Sequence, residues 1–382
     1  MKRVRLVAVL LVFAFLVGAL SGCSGAGEKK SEDKSPLKIA FVQPLSGDAA
    51  TYGLMGKRAF ELAFEEINTA GGVKGRKLEL VVQDDTGDPK QAASAAQKFA
   101  DQKDVLLLVG SSLSSNTLAM VPIIDKAKLP QVVYSSSSPK LSGASPYFFR
   151  MAVLDAELGK IMASWAVKTK GAKKVADLYV NNDYGTLLGG AFTDEVKKLG
   201  AEVTGNYAYL ANDRDFQALL TKIKDENPDV IGLSSTYTDA ALIVKQARSM
   251  GITVPFVGPA SLNSQKFIDI AGPAAEGIIV TASFVADNPD PKVQDFVKKF
   301  KTKYDVTADN YAALAYDEAY LIADTFKKAI EANEITREGV KKALEKADYQ
   351  GVTGKVTFND KHEWVRPYLF ITVKDGKFVM AH

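Results

Sequence analysis

The sequence predicts an α/β protein that contains two doubly wound parallel sheets, and three observations support this prediction. Apolar segments typical of strands alternate with segments of helical periodicity between residues 37 and 281. The alternation starts again after residue 151, which indicates a second sheet of similar size. The chain has 382 residues, of which 47% are hydrophobic, and it therefore exceeds what one core usually organises.

The central unit of this pattern spans residues 105–139. Its two buried strands, residues 105–109 and 131–134, flank a helix over residues 116–128, whose apolar residues recur near helical spacing. Strand, helix, strand in this order predicts parallel strands. Each strand runs into a serine-rich turn, Gly110-Ser-Ser-Leu-Ser-Ser115 after the first and Ser135-Ser-Ser-Ser138 after the second.

The two serine turns are the predicted ligand site. Because parallel strands end at the same edge of a sheet, both turns lie where ligands bind in open parallel sheets, next to unpaired N–H groups of a following helix. Serine hydroxyls in such turns are suited to hold a carboxylate. The alternative is that serine is merely a common residue of turns and helix N-caps.

The remaining elements follow in order along the chain. Before the central unit we predict strands over residues 38–42 and 77–82, a helix over 53–68 and a helix that Pro89 opens and that ends near 103. Residues 147–151 lead towards the second series, which has strands at 174–180, 202–209, 230–233, 254–257 and 277–281. The last part is helical at 293–303, 308–331 and 337–346, and it ends in a hairpin that turns at Asp375-Gly376.

The amino terminus has the pattern of a secretory signal. A basic start, an apolar run over residues 6–20 and small residues before Cys23 predict that residues 1–22 are removed on export. Leu20-Ser-Gly-Cys23 resembles the lipobox of bacterial lipoproteins, which predicts a lipidated Cys23 and a polar tether over residues 23–36. Cys23 is the only cysteine, so a disulfide is excluded. We expect a lipid-anchored protein on the outer side of the cytoplasmic membrane or in the periplasm.

Charge and composition exclude several partners and chemistries. Lys2, Arg3 and Arg5 supply the net charge of +3, because the 48 basic residues less these three leave 45 against 45 acidic residues, so nothing favours nucleic acid as a partner. Two histidines offer little for acid–base catalysis or metal binding. The Asp84-Asp-Thr-Gly-Asp88 segment lacks the spacing of a calcium loop and is better explained as a turn before a helix. We expect no catalytic residues, metal or cofactor.

The order of several motifs resembles that of the leucine/isoleucine/valine-binding proteins of bacterial ABC importers. These motifs span residues 37–382 and include Pro44-Leu-Ser-Gly47, Tyr52-Gly53, Asp88-Pro-Lys-Gln-Ala92, Asn182-Asp-Tyr-Gly185, Gly258-Pro259 and Tyr311-Ala-Ala313. The resemblance implies a type I periplasmic binding fold in which two lobes, joined by a three-segment hinge, close around a ligand. It implies lobe 1 at residues 37–155 plus 284–360 and lobe 2 at 156–283 plus 361–382. It also implies a membrane permease as partner, and we expect a monomer.

The resemblance also implies roles for individual residues. Ser114 and Ser137 match hydroxyls that hold the ligand carboxylate, and Ser135 matches a residue whose backbone carbonyl accepts from the ammonium. The walls of the pocket match Tyr52, Ser112 and Leu113 in the first lobe and Tyr184, Thr236 and Tyr237 in the second. Ser136 and Ala260 complete the predicted ligand-binding set. For the tyrosines, the alternative is ordinary packing of loops.

Ala260 marks a departure from the family, which often has an acidic residue after Gly-Pro to pair with the ligand's amino group. Asp183 and Asp239 are the candidate replacements. The favoured function is a lipid-anchored receptor that delivers a branched-chain or other aliphatic amino acid to an ABC importer. The alternative is a receptor of the same fold for a non-amino-acid carboxylate or amide, in uptake or sensing. An exported enzyme is less favoured, since a serine cluster without histidine has a poor base.

Overall fold

Two sheets organise the structure, a computed structural model that describes residues 34–364 and 368–381. The predicted signal, Cys23 and most of the predicted tether lie outside the described residues. Residues 36–382 form one unit. No helix in the two described ranges is long and apolar enough to cross a membrane.

The first sheet contains five parallel strands in the order β2–β1–β3–β4–β5. The strands are β1 Leu37–Gln43, β2 Leu78–Asp84, β3 Val105–Val109, β4 Gln131–Val133 and β5 Phe148–Arg150, and the helices between them are α1 Ala50–Thr69, α2 Pro89–Ala100 and α3 Ser114–Ala127. Asp88 caps α2, since its side chain accepts from the backbone N–H groups of Lys90 at 2.7 Å and Gln91 at 3.2 Å. The aspartate-rich turn is therefore a helix start, as predicted.

The second sheet has the order β14–β13–β10–β9–β8–β6–β7. Its parallel strands are β6 Lys174–Val180, β7 Glu202–Tyr209, β8 Val230–Ser234, β9 Phe256–Gly258 and β10 Ile279–Ala282, and its helices are α4 Asp155–Ser164, α5 Asp183–Lys198, α6 Gln217–Glu226, α7 Tyr237–Ser249 and α8 Gln265–Ala271. The terminal hairpin, β13 Leu369–Lys374 and β14 Lys377–Met380, turns at Asp375-Gly376 as predicted and pairs antiparallel with β10. The predicted doubly wound parallel sheets are confirmed, and the predicted hairpin adds two antiparallel strands at one edge of the second sheet; its own strands run in opposite directions because a two-residue turn joins them.

The late helices pack on the first sheet. They are α9 Pro291–Tyr304, α10 Asn310–Glu331 and α11 Arg337–Leu344, followed by the hairpin β11 Tyr349–Gly351 and β12 Gly354–Val356. α10 lies against α1, where the hydroxyls of Tyr316 and Tyr320 donate to Glu66 at 2.6 and 2.8 Å. We call the first sheet with α1–α3 and α9–α11 the first lobe, and the second sheet with α4–α8 the second lobe. In the described part of the chain, crossings between the lobes follow β5, follow β10 and precede β13.

Candidate functional site

The first serine turn leads directly into the amino terminus of α3. Leu113 occupies the N-cap position, and its apolar side chain makes no capping hydrogen bond. The N–H groups of the first helical turn have no partners within the helix, so those of α3 are available to an anion. The sequence prediction started this helix at residue 116, two residues later than the observed Ser114, and it therefore missed that Ser114 belongs to this first turn.

Ser114 joins the two serine turns. Its Oγ accepts hydrogen bonds from the backbone N–H groups of Ser137 at 3.3 Å and Ser138 at 3.2 Å. These bonds occupy the lone pairs of the oxygen, so the hydroxyl proton is left for an acceptor on a ligand. Ser114 and Ser137 are both buried, and each is only 5% exposed. A carboxylate placed here meets hydroxyl donors and a helix amino terminus together.

The other serines of the two turns differ in what they contact. The Ser135 hydroxyl donates to the carbonyl of Ser112 at 3.2 Å, and both residues line the cavity between the lobes. Ser136 does not line the cavity, because its hydroxyl donates to the carbonyl of Ser111 at 2.8 Å and lies 2.7 Å from Thr117 Oγ1. The structure thus gives Ser136 a bond that holds the two turns together instead of a position facing a ligand.

A cavity of about 270 Å³ lies between the two lobes, at the carboxyl ends of their parallel strands. The predicted site residues that line it are Tyr52, Ser112, Leu113, Ser114, Ser135, Ser137, Tyr184, Thr236 and Ala260; Tyr237 does not line it. Further residues line the cavity that the sequence analysis did not predict, among them Asp48, Met151, Leu158, Asn182, Asn212, Ser261, Tyr311, Leu314 and Tyr368. The available signal for Asn182 and Tyr311 was that each begins a recognised motif, and for Ser261 that it lies two residues after Gly258-Pro259.

Tyr52 connects the lobes at the mouth of the cavity. Its hydroxyl accepts from the backbone N–H of Tyr237 at 3.1 Å and donates to the carbonyl of Ser261 at 3.4 Å. Because Tyr237 is the first residue of α7 and the Thr236 side chain provides no cap, the first lobe supplies a cap for a helix of the second. Burial raises the pKa of Tyr52, which keeps its hydroxyl neutral.

The turn before α1 adds further contacts across the mouth. The carbonyl of Asp48 accepts from the hydroxyl of Tyr237 at 2.5 Å and from that of Thr238 at 3.3 Å. The Asp48 carboxylate pairs with Arg214 at 2.5 Å. Each of these contacts joins residues of opposite lobes, so the structure shows the cleft closed.

The two candidate acids lie in different environments. Asp183 is partly exposed, pairs with Lys140 and does not line the cavity. Asp239, in the first turn of α7, lines the cavity and is 4% exposed. Burial raises the pKa of Asp239 to about 6, although the nearby charge of Arg214 opposes the rise. Of the two acids, only Asp239 is in a position to meet a ligand in the closed cavity.

The second serine turn is fastened to the crossings between the lobes by Arg150, a fully buried residue at the end of β5. Arg150 Nη1 donates to the carbonyl of Ser138 at 2.7 Å, and its Nη2 pairs with Glu363 from the last crossing. The backbone N–H of Asp155, which begins α4, donates to the carbonyl of Ser137 at 2.9 Å. Burial raises the pKa of Asp155 to about 7, against the opposing effects of Ser137 and Arg150. The ligand-facing turn and two crossings thus form one connected region.

Two α/β lobes closed over a cavity that offers donors for an anion and apolar walls define a two-lobed binding protein for small molecules. The periplasmic binding protein family matches residues 36–377, and the chain belongs to that family. The fold is accordingly the type I fold that the sequence predicted. Because the family consists of binding proteins, the prediction that this chain is not an enzyme is also confirmed.

Individual relatives agree with this placement. The leucine-, isoleucine-, valine-, threonine- and alanine-binding protein of Pseudomonas aeruginosa is 29% identical over 326 residues, which are 85% of this chain and 86% of the relative. A branched-chain amino acid transporter substrate-binding protein from Streptococcus pneumoniae, solved with isoleucine, has a TM-score of 0.85 and 32% identity over 90% of this chain and 97% of its own. A solute-binding protein of an ABC transporter from R. palustris, solved with benzoate, shares the fold with a TM-score of 0.84 at 24% identity, over 90% of this chain and 95% of its own.

Proposed function

We propose that this protein is a lipid-anchored receptor outside the cytoplasmic membrane that delivers a branched-chain or other aliphatic amino acid to an ABC importer. The observation that carries the proposal is the donor set around Ser114, where a hydroxyl proton and the free N–H groups of α3 converge on the cavity. Two relatives support the choice of ligand. The name of the P. aeruginosa protein includes leucine, isoleucine and valine among its ligands, and the S. pneumoniae protein was solved with isoleucine.

The rest of the cavity suits an aliphatic side chain. Leu113, Met151, Leu158 and Leu314 supply apolar walls next to the serine turns. A volume of about 270 Å³ matches a small molecule of the size of an amino acid. An aliphatic chain that leaves water for these walls contributes about 0.8 kcal/mol for each buried methylene group.

The proposal requires the lobes to open and close. We assign lobe 1 to residues 37–155 plus 284–360 and lobe 2 to residues 156–283 plus 361–382, with bending at the three crossings. A ligand held by both lobes favours the closed form by its differential affinity for that form. Small-angle scattering should therefore show a smaller radius of gyration with saturating ligand, and an unchanged radius would contradict the hinge.

Calorimetric titration with leucine, isoleucine and valine tests the ligand directly. Ser114→Ala removes a charge-assisted hydrogen bond of about 1.5–3 kcal/mol, so affinity should fall roughly ten- to a hundredfold. Ser249→Ala, on the exposed end of α7, is the matched control and should bind as the wild type does. Equal affinity for leucine and for leucinamide, which lacks the carboxylate, would contradict the assigned role of the serine turns.

The membrane anchor has its own test. Cys23→Ala removes the proposed lipid attachment, so the variant should be recovered in the released fraction while the wild type stays with the membrane. A variant that remains bound to membranes as tightly as the wild type would contradict the anchor. The permease partner is tested by co-purification from membranes in the presence and absence of leucine.

The second candidate function is a receptor for a carboxylate without an amino group. Ala260 favours it, because its methyl side chain at the cavity wall offers nothing to a cation. The same fold holds benzoate in the R. palustris protein. Affinity for 4-methylpentanoate above that for leucine would select this function.

A further inference from the structure

Asp239 is a buried carboxylate at the cavity wall with little hydrogen bonding of its own. Among residues 34–364 and 368–381, its side-chain contacts are with Thr236 Oγ1 at 3.5 Å and Arg214 Nη1 at 3.7 Å, both beyond the distance of a strong bond. An ionised carboxylate can accept about four hydrogen bonds, so most of its capacity is unused. Burying such a group without close donors is costly, which makes a donor from the ligand the missing partner.

The local charges favour a cation at this position. Arg214 makes its shorter contact, 2.5 Å, with Asp48 of the opposite lobe, so its charge is largely committed there. Asp213 adds a third carboxylate nearby, and both Asp48 and Asp213 raise the pKa of Asp239 together with its burial. In residues 34–364 and 368–381, the charged side chains that line the cavity are Asp48 and Asp239 alone. One arginine thus faces three acids at the mouth of the cavity.

We infer that Asp239 binds the ammonium group of the ligand and so makes the receptor selective for α-amino acids over carboxylates of the same shape. This inference rests on the proposed function, because it takes the serine turns as the site of the ligand carboxylate. Asp239 belongs to the second lobe and the serine turns to the first. A zwitterion therefore bridges the lobes, whereas a ligand with a carboxylate alone contacts the first lobe and leaves Asp239 without a donor.

In this arrangement Asp239 takes the role that an acidic residue at the position of Ala260 has in the family. The acid that pairs with a ligand cation need not follow the Gly258-Pro259 turn, since α7 presents its first turn to the same cavity. Asp239 is the specificity-determining residue in this arrangement. Arg214 stabilises the closed form through its ion pair with Asp48 of the opposite lobe. Its longer contact with Asp239 leaves that carboxylate accessible to the ligand.

The test compares the wild type, Asp239→Asn and Asp213→Asn by calorimetry with three matched pairs. The pairs are leucine with 4-methylpentanoate, isoleucine with 3-methylpentanoate, and valine with 3-methylbutanoate. Asp213→Asn is the control, because it removes one nearby negative charge from a residue that does not line the cavity. Thermal unfolding of each variant confirms that it is folded.

Wild type should prefer at least one amino acid over its partner acid, and Asp239→Asn should lose about thirtyfold or more for that amino acid. The same variant should bind the partner acid within about threefold of the wild type, and Asp213→Asn should keep the wild-type preference. An unchanged preference in Asp239→Asn, or a preference of the wild type for the acids, would overturn the inference and leave the carboxylate receptor standing. Wild type that binds none of the six compounds would overturn the proposed function and the inference with it.

Discussion

Tyr52→Phe should weaken ligand binding without touching the serine turns, because Tyr52 acts on closure. In the closed structure its hydroxyl accepts from the backbone N–H of Tyr237 at 3.1 Å and donates to the carbonyl of Ser261 at 3.4 Å. Both partners belong to the second lobe, while Tyr52 belongs to α1 of the first. Phenylalanine keeps the ring, which packs edge-on against the ring of Tyr237 at a centroid distance of 4.8 Å.

The magnitude follows from the hydrogen bonds that closure forms. A typical intramolecular hydrogen bond contributes about 0.5–1.5 kcal/mol net, and a buried group left without its partner costs about 1–3 kcal/mol. The 3.4 Å bond to Ser261 is long and contributes little, so the unpaired N–H of Tyr237 dominates the loss. The closed form should therefore lose about 1–3 kcal/mol relative to the open form, whose groups face water. Observed affinity should fall by roughly five- to 150-fold, since binding requires the closed form.

Calorimetry with leucine measures the loss of affinity, and small-angle scattering measures how far saturating ligand still compacts the protein. Tyr304→Phe is the matched control, because Tyr304 donates to the carbonyl of Arg58 at 2.8 Å within the first lobe. The control should lower the unfolding temperature slightly and leave affinity unchanged. Equal losses of affinity in both variants, or none in Tyr52→Phe, would refute the view that this hydroxyl stabilises closure.

Three further predictions concern stability. Glu363→Gln should lower the free energy of unfolding in urea by about 3 kcal/mol, because it removes the carboxylate that pairs with the buried guanidinium of Arg150. Glu331→Gln, from an exposed pair with Lys74, is the control and should leave the free energy of unfolding nearly unchanged. Burial raises the pKa of Asp177 to about 7. Between about pH 4 and pH 7 the folded state therefore keeps a proton on this carboxyl that the unfolded state has released. The free energy of unfolding should fall as the pH rises through this range. Asp177→Asn should therefore be more favourable relative to wild type at pH 8 than at pH 5, and equal effects at both would contradict the raised pKa. Gly53→Ala should lower the unfolding temperature by several degrees, because the added Cβ would lie 2.1 Å from the carbonyl oxygen of Pro44, and an unchanged temperature would contradict that close approach.

The alternation of strands and helices was predictable because buried strands and half-buried helices have different patterns of apolar residues. A strand such as β3, buried on both faces, reads as the continuous apolar run Val105-Leu-Leu-Leu-Val109, and the predicted bounds are those observed. Helix starts were less predictable where function intervenes. Apolar periodicity in α3 begins only at Leu118, but the helix starts at Ser114, because its first turn faces the cavity and carries polar residues.

The site was predictable as a region and not residue by residue. Both serine turns do meet at the cavity, since parallel strands end at one edge of a sheet. Which serine faces the ligand depends on the path of each turn, and four consecutive serines carry no signal of it. Ser136 points to Ser111 and Thr117, while its neighbours Ser135 and Ser137 line the cavity.

Charge at the site depends on contacts that no local pattern contains. Asp183 and Asp239 each lie in the first turn of a helix, so the sequence offers no reason to choose between them. Tertiary contacts separate them, since Lys140 of the first lobe pairs with Asp183, whereas Asp48 takes the arginine that Asp239 would otherwise hold. Selectivity and closure are linked through this arrangement. The same bond between Arg214 and Asp48 that joins the lobes leaves the buried Asp239 carboxylate without a close cation, so under the proposed function a ligand with an ammonium group would stabilise the closed form.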